Sequence, residues 1–189
     1  MERVQIFVEG IADEKFLNDY LSFLKINDFK VCPMGGINKL EESIPDFEKN
    51  YKMGIKNVLI LDSDDSFKDR CDNLKNKPYI SNFEISFFLF PNNFENGDLE
   101  NLLENTINMN NKDIFDCWIS YEECLKSKDK DYTTPAKKTK IYAYLEALLK
   151  SSKKQKEMIK EAKRDYLNSD HWDLQSEYLL PLKEYLTSI

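Results

Sequence analysis

The chain has 189 residues, enough for one domain with a sizeable core or a domain with a helical appendage. Hydrophobic residues make up 41 % and charged residues 32 %, a globular composition and not a disordered one. No apolar stretch approaches the length of a membrane span and the N-terminus carries no signal-peptide pattern, so no membrane span is expected and the cytoplasm is the expected location.

The net charge of −7 conceals an asymmetry. Lys/Arg against Asp/Glu number 13 and 24 in residues 1–125, 13 and 5 in 126–164, and 1 and 5 in 165–189. A lysine-rich segment beside an acidic domain is a candidate polyanion contact, with a solvated helical surface as the plainer alternative. The four cysteines have no zinc-ligand or CxxC spacing and read as reduced thiols. The lone histidine, His171, excludes a His-rich metal site and reads as a capping or packing side chain.

In chain order, Val4–Val8 is an apolar β-branched run and predicts a strand. A helix is predicted over 13–25, with Phe16, Leu17, Tyr20, Leu21 and Leu24 on one face. A second strand follows over Phe29–Pro33. Leu40, Ile44, Phe47 and Tyr51 then recur at helical spacing, and Pro45 inside that pattern predicts a kink or two shorter helices. A strand over 57–61, a helix over 66–74 and a strand over 83–90 complete four βα units. Strands separated by helices require crossovers, so an α/β fold with a mostly parallel four-stranded sheet flanked by helices is expected. Beyond Gly97, helices are predicted over 98–106, 112–126, 141–150, 153–166 and 181–186. The division is an α/β domain over 1–105 and a helical extension over 106–189, with its lysine-rich segment at 126–164.

Carboxylates end two of the strands. Glu9 closes Val4-Gln5-Ile6-Phe7-Val8-Glu9-Gly10, and Asp62 and Asp64 close Val58-Leu59-Ile60-Leu61-Asp62-Ser63-Asp64. Buried strands deliver such residues to the C-terminal edge of a sheet, where open α/β folds place their ligands. Gathered carboxylates repel unless a cation neutralises them, and hard oxygen donors suit Mg²⁺ or Mn²⁺. In an extended segment Asp62 and Asp64 project to one side and converge on one ion. Asp13 sits where a helix N-cap belongs, and capping alone would account for it. The Asp62–Ser66 run also reads as a polar turn that supplies caps.

Val8-Glu9-Gly10, Asp13 and Phe16-Leu17, followed by Asp62-Ser63-Asp64, resemble the Toprim domain of topoisomerases, bacterial-type primases and related nucleases. The likeness is strongest to the nucleases of the OLD (overcoming lysogenization defect) family and to small stand-alone bacterial Toprim proteins. Pro91-Asn92-Asn93, Gly97-Asp98-Leu99-Glu100 and Lys140-Ile141-Tyr142-Ala143-Tyr144 look similar to that stand-alone group. The resemblance implies a Rossmann-like Toprim fold over about residues 1–105. It implies Glu9 as a metal ligand and general base or acid, Asp62 and Asp64 as metal ligands, and Asp13 and Glu100 as further ligands serving a second ion. Lys140 matches a charge-stabilising lysine of the nuclease site, with Lys137 and Lys138 competing for that role. The implied activity is phosphodiester hydrolysis with one or two Mg²⁺ or Mn²⁺ ions, in phage defence or another mobile-element context. DNA is favoured over RNA. The 126–164 stretch, with Lys137, Lys138, Lys153, Lys154 and Lys156, would track the nucleic-acid backbone, and Tyr132, Tyr142 or Tyr144 would be available for stacking. The ATPase domain fused to OLD proteins is lacking, so activation would come from a separate ATPase or other protein.

Two alternatives stand beside this reading. Leu59-Ile60-Leu61-Asp62-Ser63-Asp64 also resembles the nucleophile motif of haloacid-dehalogenase-type phosphatases, which would leave Glu9 unused. A non-catalytic Toprim-like binding or regulatory module would hold a cation without turnover.

Overall fold

The computed structural model describes residues 3–149 and 153–189, apart from the side chains of 153–155. Four strands, β1 (Val4–Val8), β2 (Phe29–Pro33), β3 (Lys56–Asp62) and β4 (Ser86–Phe90), form an all-parallel sheet in the order β2-β1-β3-β4. Their side chains alternate between two faces, and each face is covered. Val4, Ile6, Val8, Val58, Ile60, Phe88 and Phe90 enter one core; Phe7, Leu59, Leu61 and Leu89 enter the other. Burial on both sides explains the unbroken Val-Leu-Ile-Leu run of β3.

The smaller core is closed by a 3₁₀ turn (Ile37–Ser43), α2 (Ile44–Lys52), α3 (Phe67–Lys75) and α4 (Pro78–Asn82). Pro45 sits in the first turn of α2, where a missing N–H costs nothing. Two short helical pieces therefore replace a kinked one. Asn50, buried here, donates to Gln5 Oε1 (3.1 Å) and Asn57 Oδ1 (2.9 Å), which ties α2 to β1 and β3.

The larger core lies under α1 (Ile11–Phe23) and, in the C-terminal half, α5 (Leu99–Glu104), α6 (Lys112–Lys126), α7 (Lys137–Leu148) and α9 (Leu180–Ser188), with α8 (Lys153–Met158) leading into buried Ile159. Ile141, Tyr144, Tyr166, Trp172, Leu182 and Leu186 share one cluster with Phe16, Leu17 and the strands. The helical extension thus packs on the sheet through a continuous apolar contact. Among the described residues no helix is long and apolar enough to cross a membrane.

Several elements differ from the expected pattern, among them α7, which begins at Lys137 and not at 141, and α4, which was not expected. The helix predicted over 13–25 begins at Ile11, with Gly10 as N-cap and Asp13 inside the first turn. The strand predicted over 83–90 keeps only Ser86–Phe90, because Phe83 caps the end of α4 and Glu84 takes φ +49°, outside the extended region. The continuous basic helix predicted over 153–166 stops at Met158 and is followed by a 3₁₀ turn, Glu161–Lys163. The chain leaves the helix because Arg164 and Tyr166 turn into the core. Arg164 is only 1 % exposed, the Tyr166 N–H donates to Asp19 Oδ2 at 3.0 Å, and the Tyr166 ring packs edge-on to Phe16 at 5.4 Å.

Phe16 touches Tyr20, Phe90 and Tyr166, joining α1, the sheet and the C-terminal half. Phe16→Ala is expected to cost about 3–5 kcal/mol, read as a lowered urea midpoint. An effect under about 1 kcal/mol would show that the C-terminal half is not anchored through this ring.

Candidate functional site

Sheet order places the site. From β1 the chain crosses to β2 on one side and then returns to β3 on the other, so the connections diverge between β1 and β3. That divergence opens a crevice at the C-terminal ends of the two strands. Glu9 follows β1 and Asp62 ends β3. The Asp62 N–H donates to Glu9 Oε1 at 3.2 Å, so the two strand ends are linked through one of the carboxylates in question.

The neighbouring loops shape the rest. Gly35 and Gly36 both donate to the Glu9 carbonyl, at 3.0 and 2.7 Å, and Gly36 has φ +116°, a backbone state that a side chain would strain. Gly10, by contrast, has an extended backbone that any residue adopts; its N–H donates to Asp13 Oδ2 at 2.7 Å. Asp13 therefore belongs to the cap of α1 and also lines the cleft. Ser63, buried at the end of β3, donates to the Glu95 carbonyl (2.9 Å) and accepts the Gly97 N–H (2.8 Å). This clamp sets the approach to α5, whose first residue, Leu99, donates its N–H to Asp62 Oδ1 at 3.0 Å. Glu100 follows, buried and facing the same cleft.

The cleft has a volume of about 420 Å³, and Glu9, Asp13, Asp62, Glu100, Lys138 and Glu161 supply its charged lining. Burial raises the Asp62 carboxyl to about 8, helped by the charges of Asp13, Glu9, Asp98 and Glu100. Burial raises Asp13 to about 6, against the Gly10 N–H bond, with Glu9 and Glu100 adding to the rise. Glu9 and Glu100 are also raised, chiefly by burial. Lys138 is the cation among these acids: its Nζ lies 4.0 Å from Glu100 and 3.6 Å from Glu161. Burial works against its charge, but Glu100 and Glu161 outweigh that and hold its pKa above the ordinary lysine value.

Of the residues named from sequence, Glu9, Asp13, Asp62 and Glu100 come together. Asp64 does not line the cleft. It takes φ +51°, leaving the extended geometry on which convergence with Asp62 depended, and its carboxylate pairs with Arg70 on the exposed side. Lys140 is also elsewhere: its Nζ pairs with Glu104 at 2.8 Å and sits over the Phe115 ring at 4.8 Å. Three or four residues make a full helical turn, so on α7 Lys138 and Lys140 point apart. Lys138 is thus the lysine that α7 presents to the cleft.

The lysine-rich segment is not one free basic face. Lys137 pairs with Asp98 (2.9 Å), and Lys160 and Lys163 pair with Glu157 (2.7 and 3.1 Å). Lys156 is exposed, and the side chains of Lys153 and Lys154 lie outside the described residues. Of the three tyrosines, Tyr144 is buried, Tyr142 carries the Arg164 guanidinium over its ring at 4.8 Å, and Tyr132 is exposed. The His171 carbonyl accepts from Asn108 N–H and the Tyr144 hydroxyl, a packing role. Sequence reasoning did not single out Glu161, for which no motif exists, or the clamp role of Ser63, which read as part of a polar turn.

All the carboxylate donors are hard oxygens, the chemistry that suits Mg²⁺ or Mn²⁺, and the burial that raises these carboxyls penalises their charged forms, a penalty that a cation would relieve. Among the described residues, no three or more His, Cys, Asp or Glu side chains are arranged to hold one ion. Glu9, Asp13, Asp62 and Glu100 would therefore have to draw together on binding.

Asp13 and Asp62 bind protons more tightly folded than unfolded. Their contribution to stability is full below the ordinary carboxylate range and is lost as pH rises through about 6 and about 8. Asp62→Asn keeps the acceptor for Leu99 N–H but removes the charge. Thermal melts in EDTA should show the lead of this variant over wild type widening by several degrees from pH 5 to pH 9, with about 2–4 °C per kcal/mol expected for a domain this size. A constant offset across that range would contradict the assignment.

No curated protein matches the chain. Among solved structures, the C-terminal region of the Burkholderia pseudomallei OLD protein is similar over 100 % of this chain and 98 % of that one, at 19 % identity and a TM-score of 0.49. A likeness this loose carries neither fold nor activity across. Residues 3–189 match the family described as DUF3226, protein of unknown function, and the chain belongs to that family.

Proposed function

We propose that the protein is a metal-dependent nuclease of Toprim type that hydrolyses phosphodiester bonds, with DNA as the favoured substrate. The observation that carries this reading is the convergence of Glu9, Asp13, Asp62 and Glu100 in one cleft at the sheet's switch point. Glu9, Asp13, Asp62 and Glu100 are the residues that would hold Mg²⁺ or Mn²⁺, as one ion or two. A divalent cation held there would supply Lewis-acid activation of water and charge stabilisation for phosphodiester hydrolysis.

The chain's own groups have separable tasks. Glu9, raised by burial, is placed to exchange a proton with the attacking water. Lys138 carries the positive charge that balances a phosphate among the acids. Lys137 is held by Asp98 and Asn101 at 2.9 and 2.8 Å and braces the start of α7 against α5. Lys140 is a packing cation. A separate ATPase or another activating protein remains part of the proposal, as does a role in phage defence.

A second reading has one observation in its favour. Lys138 already places a tethered cation in the cleft, and among the described residues no ready set of three ligands surrounds a single ion. That arrangement suits a regulatory module which binds without turnover. The phosphatase reading is weaker, because Asp64, its acid/base, pairs with Arg70 and does not line the cleft.

Purified protein incubated with plasmid, single-stranded DNA, RNA and p-nitrophenyl phosphate, in Mn²⁺ or Mg²⁺ and then EDTA, separates the three. A nuclease nicks DNA only with metal, and Glu9→Gln and Asp62→Asn each lower the rate by about 100-fold or more. Metal binding without cleavage supports the module. Phosphatase activity that survives Glu9→Gln sinks the nuclease.

The two lysines are distinguished in the same assay. Lys138→Ala should lower the nicking rate by about 10-fold or more when assayed well below its melting temperature. Lys140→Met should lower the melting temperature and spare the rate. The reverse pattern would return Lys140 to the site.

A further inference from the structure

Helix α6 is four turns long, yet Phe115 is its one buried residue. Its packed side, Phe115, Trp118, Glu122 and Leu125, recurs at alternating three- and four-residue spacing, and Phe115 meets Tyr144 of α7 at 5.1 Å. A separate stripe at helical spacing is exposed: Asp113, Cys117, Tyr121 (48 % exposed) and Cys124. It continues to exposed Lys128, whose N–H still bonds the Leu125 carbonyl at 3.2 Å and so prolongs the turn of the helix.

We infer that this stripe is where two copies of the chain meet, their α6 helices packed antiparallel about a two-fold axis between Ser120 and Tyr121. A two-fold interface must be self-complementary, because the same patch meets itself reversed. This stripe has that property. Reversal about its centre sets Asp113 against Lys128, Cys117 against Cys124 and Tyr121 beside Ser120, and repeats each pair on the other side. A parallel pairing would instead set Asp113 against Asp113 and Lys128 against Lys128, which like charge disfavours.

The flanks agree with this arrangement. Met109, just before α6, is 66 % exposed, and Tyr132, after it, is 47 % exposed. Antiparallel packing brings the Met109 end of one copy to the Tyr132 end of the other, covering two apolar side chains at each end. A contact built on one four-turn helix, about 22 Å long, is smaller than the usual 800 Å² per partner and associates weakly. The partner is therefore sought at high protein concentration.

The full chain, at a concentration on the order of 100 µM, is treated with a short bismaleimide and resolved by denaturing electrophoresis, alongside Cys117→Ser, Cys124→Ser, Asp113→Lys and the double variant Asp113→Lys/Lys128→Asp. Wild type should yield a cross-linked dimer. Each cysteine variant should lose it by about five-fold or more, since the antiparallel register sets Cys117 of one copy against Cys124 of the other and a link at this seam uses one of each. Both cysteines are exposed, so serine leaves the fold intact. Asp113→Lys should weaken the cross-link and the double variant restore it. The inference is overturned by no dimer in the wild type, by either cysteine variant cross-linking as well as wild type, or by failure of the charge swap to restore.

Discussion

One hydrogen bond, from the Asp62 N–H to Glu9 Oε1, extends the pairing of β1 and β3 to the two strand ends on which the site depends. It exists because β1 and β3 are parallel neighbours in register and because the chain's connections part on either side of that pair. The geometry is costly. Burial raises Glu9, Asp13, Asp62 and Glu100, and repulsion from the neighbouring acids adds to the rise at Asp13 and Asp62. A fold that needed only caps and a turn at this edge would leave such groups in water.

The surroundings are arranged to hold that cost in place. Gly35 and Gly36 fix the Glu9 carbonyl, Gly10 N–H fixes Asp13, and Leu99 N–H fixes Asp62. Ser63 docks the loop that delivers α5 and with it Glu100. The C-terminal half then completes the cleft from outside the α/β unit, Lys138 coming from α7 and Glu161 from the 3₁₀ turn. That turn is held down by Arg164 and Tyr166, buried beside α1, with Asp19 accepting the Tyr166 N–H. The helical extension is therefore a wall of the site as well as a cover for the sheet.

Much of this was legible in residue order. The apolar runs that end in Glu9 and Asp62 give the strands, the edge and the acidic chemistry. Pro45 gives the two short helical pieces, and Ser66 gives the start of α3, whose Asp69 N–H it accepts at 3.2 Å. What failed was reading a local pattern one step too far. Asp64 was expected to continue the alternation of β3, but the strand ends at Asp62 and the next turn takes a left-handed residue. The helix over 153–166 had a sound amphipathic pattern, but tertiary burial of Arg164 and Tyr166 broke it.

Strand, edge and carboxylate follow from period-two burial and from what a buried strand places at its end, both local properties of neighbouring residues. Which lysine meets the acids follows from the angle at which α7 docks on α5. Lys137, Lys138 and Lys140 are equivalent in composition, but they are braced on Asp98, facing Glu100, and packed on Phe115 respectively. Glu161 joins the cleft only because residues more than a hundred positions from β1 are folded back over α1. Contacts of that span depend on packing between distant elements, and no spacing within the chain encodes them.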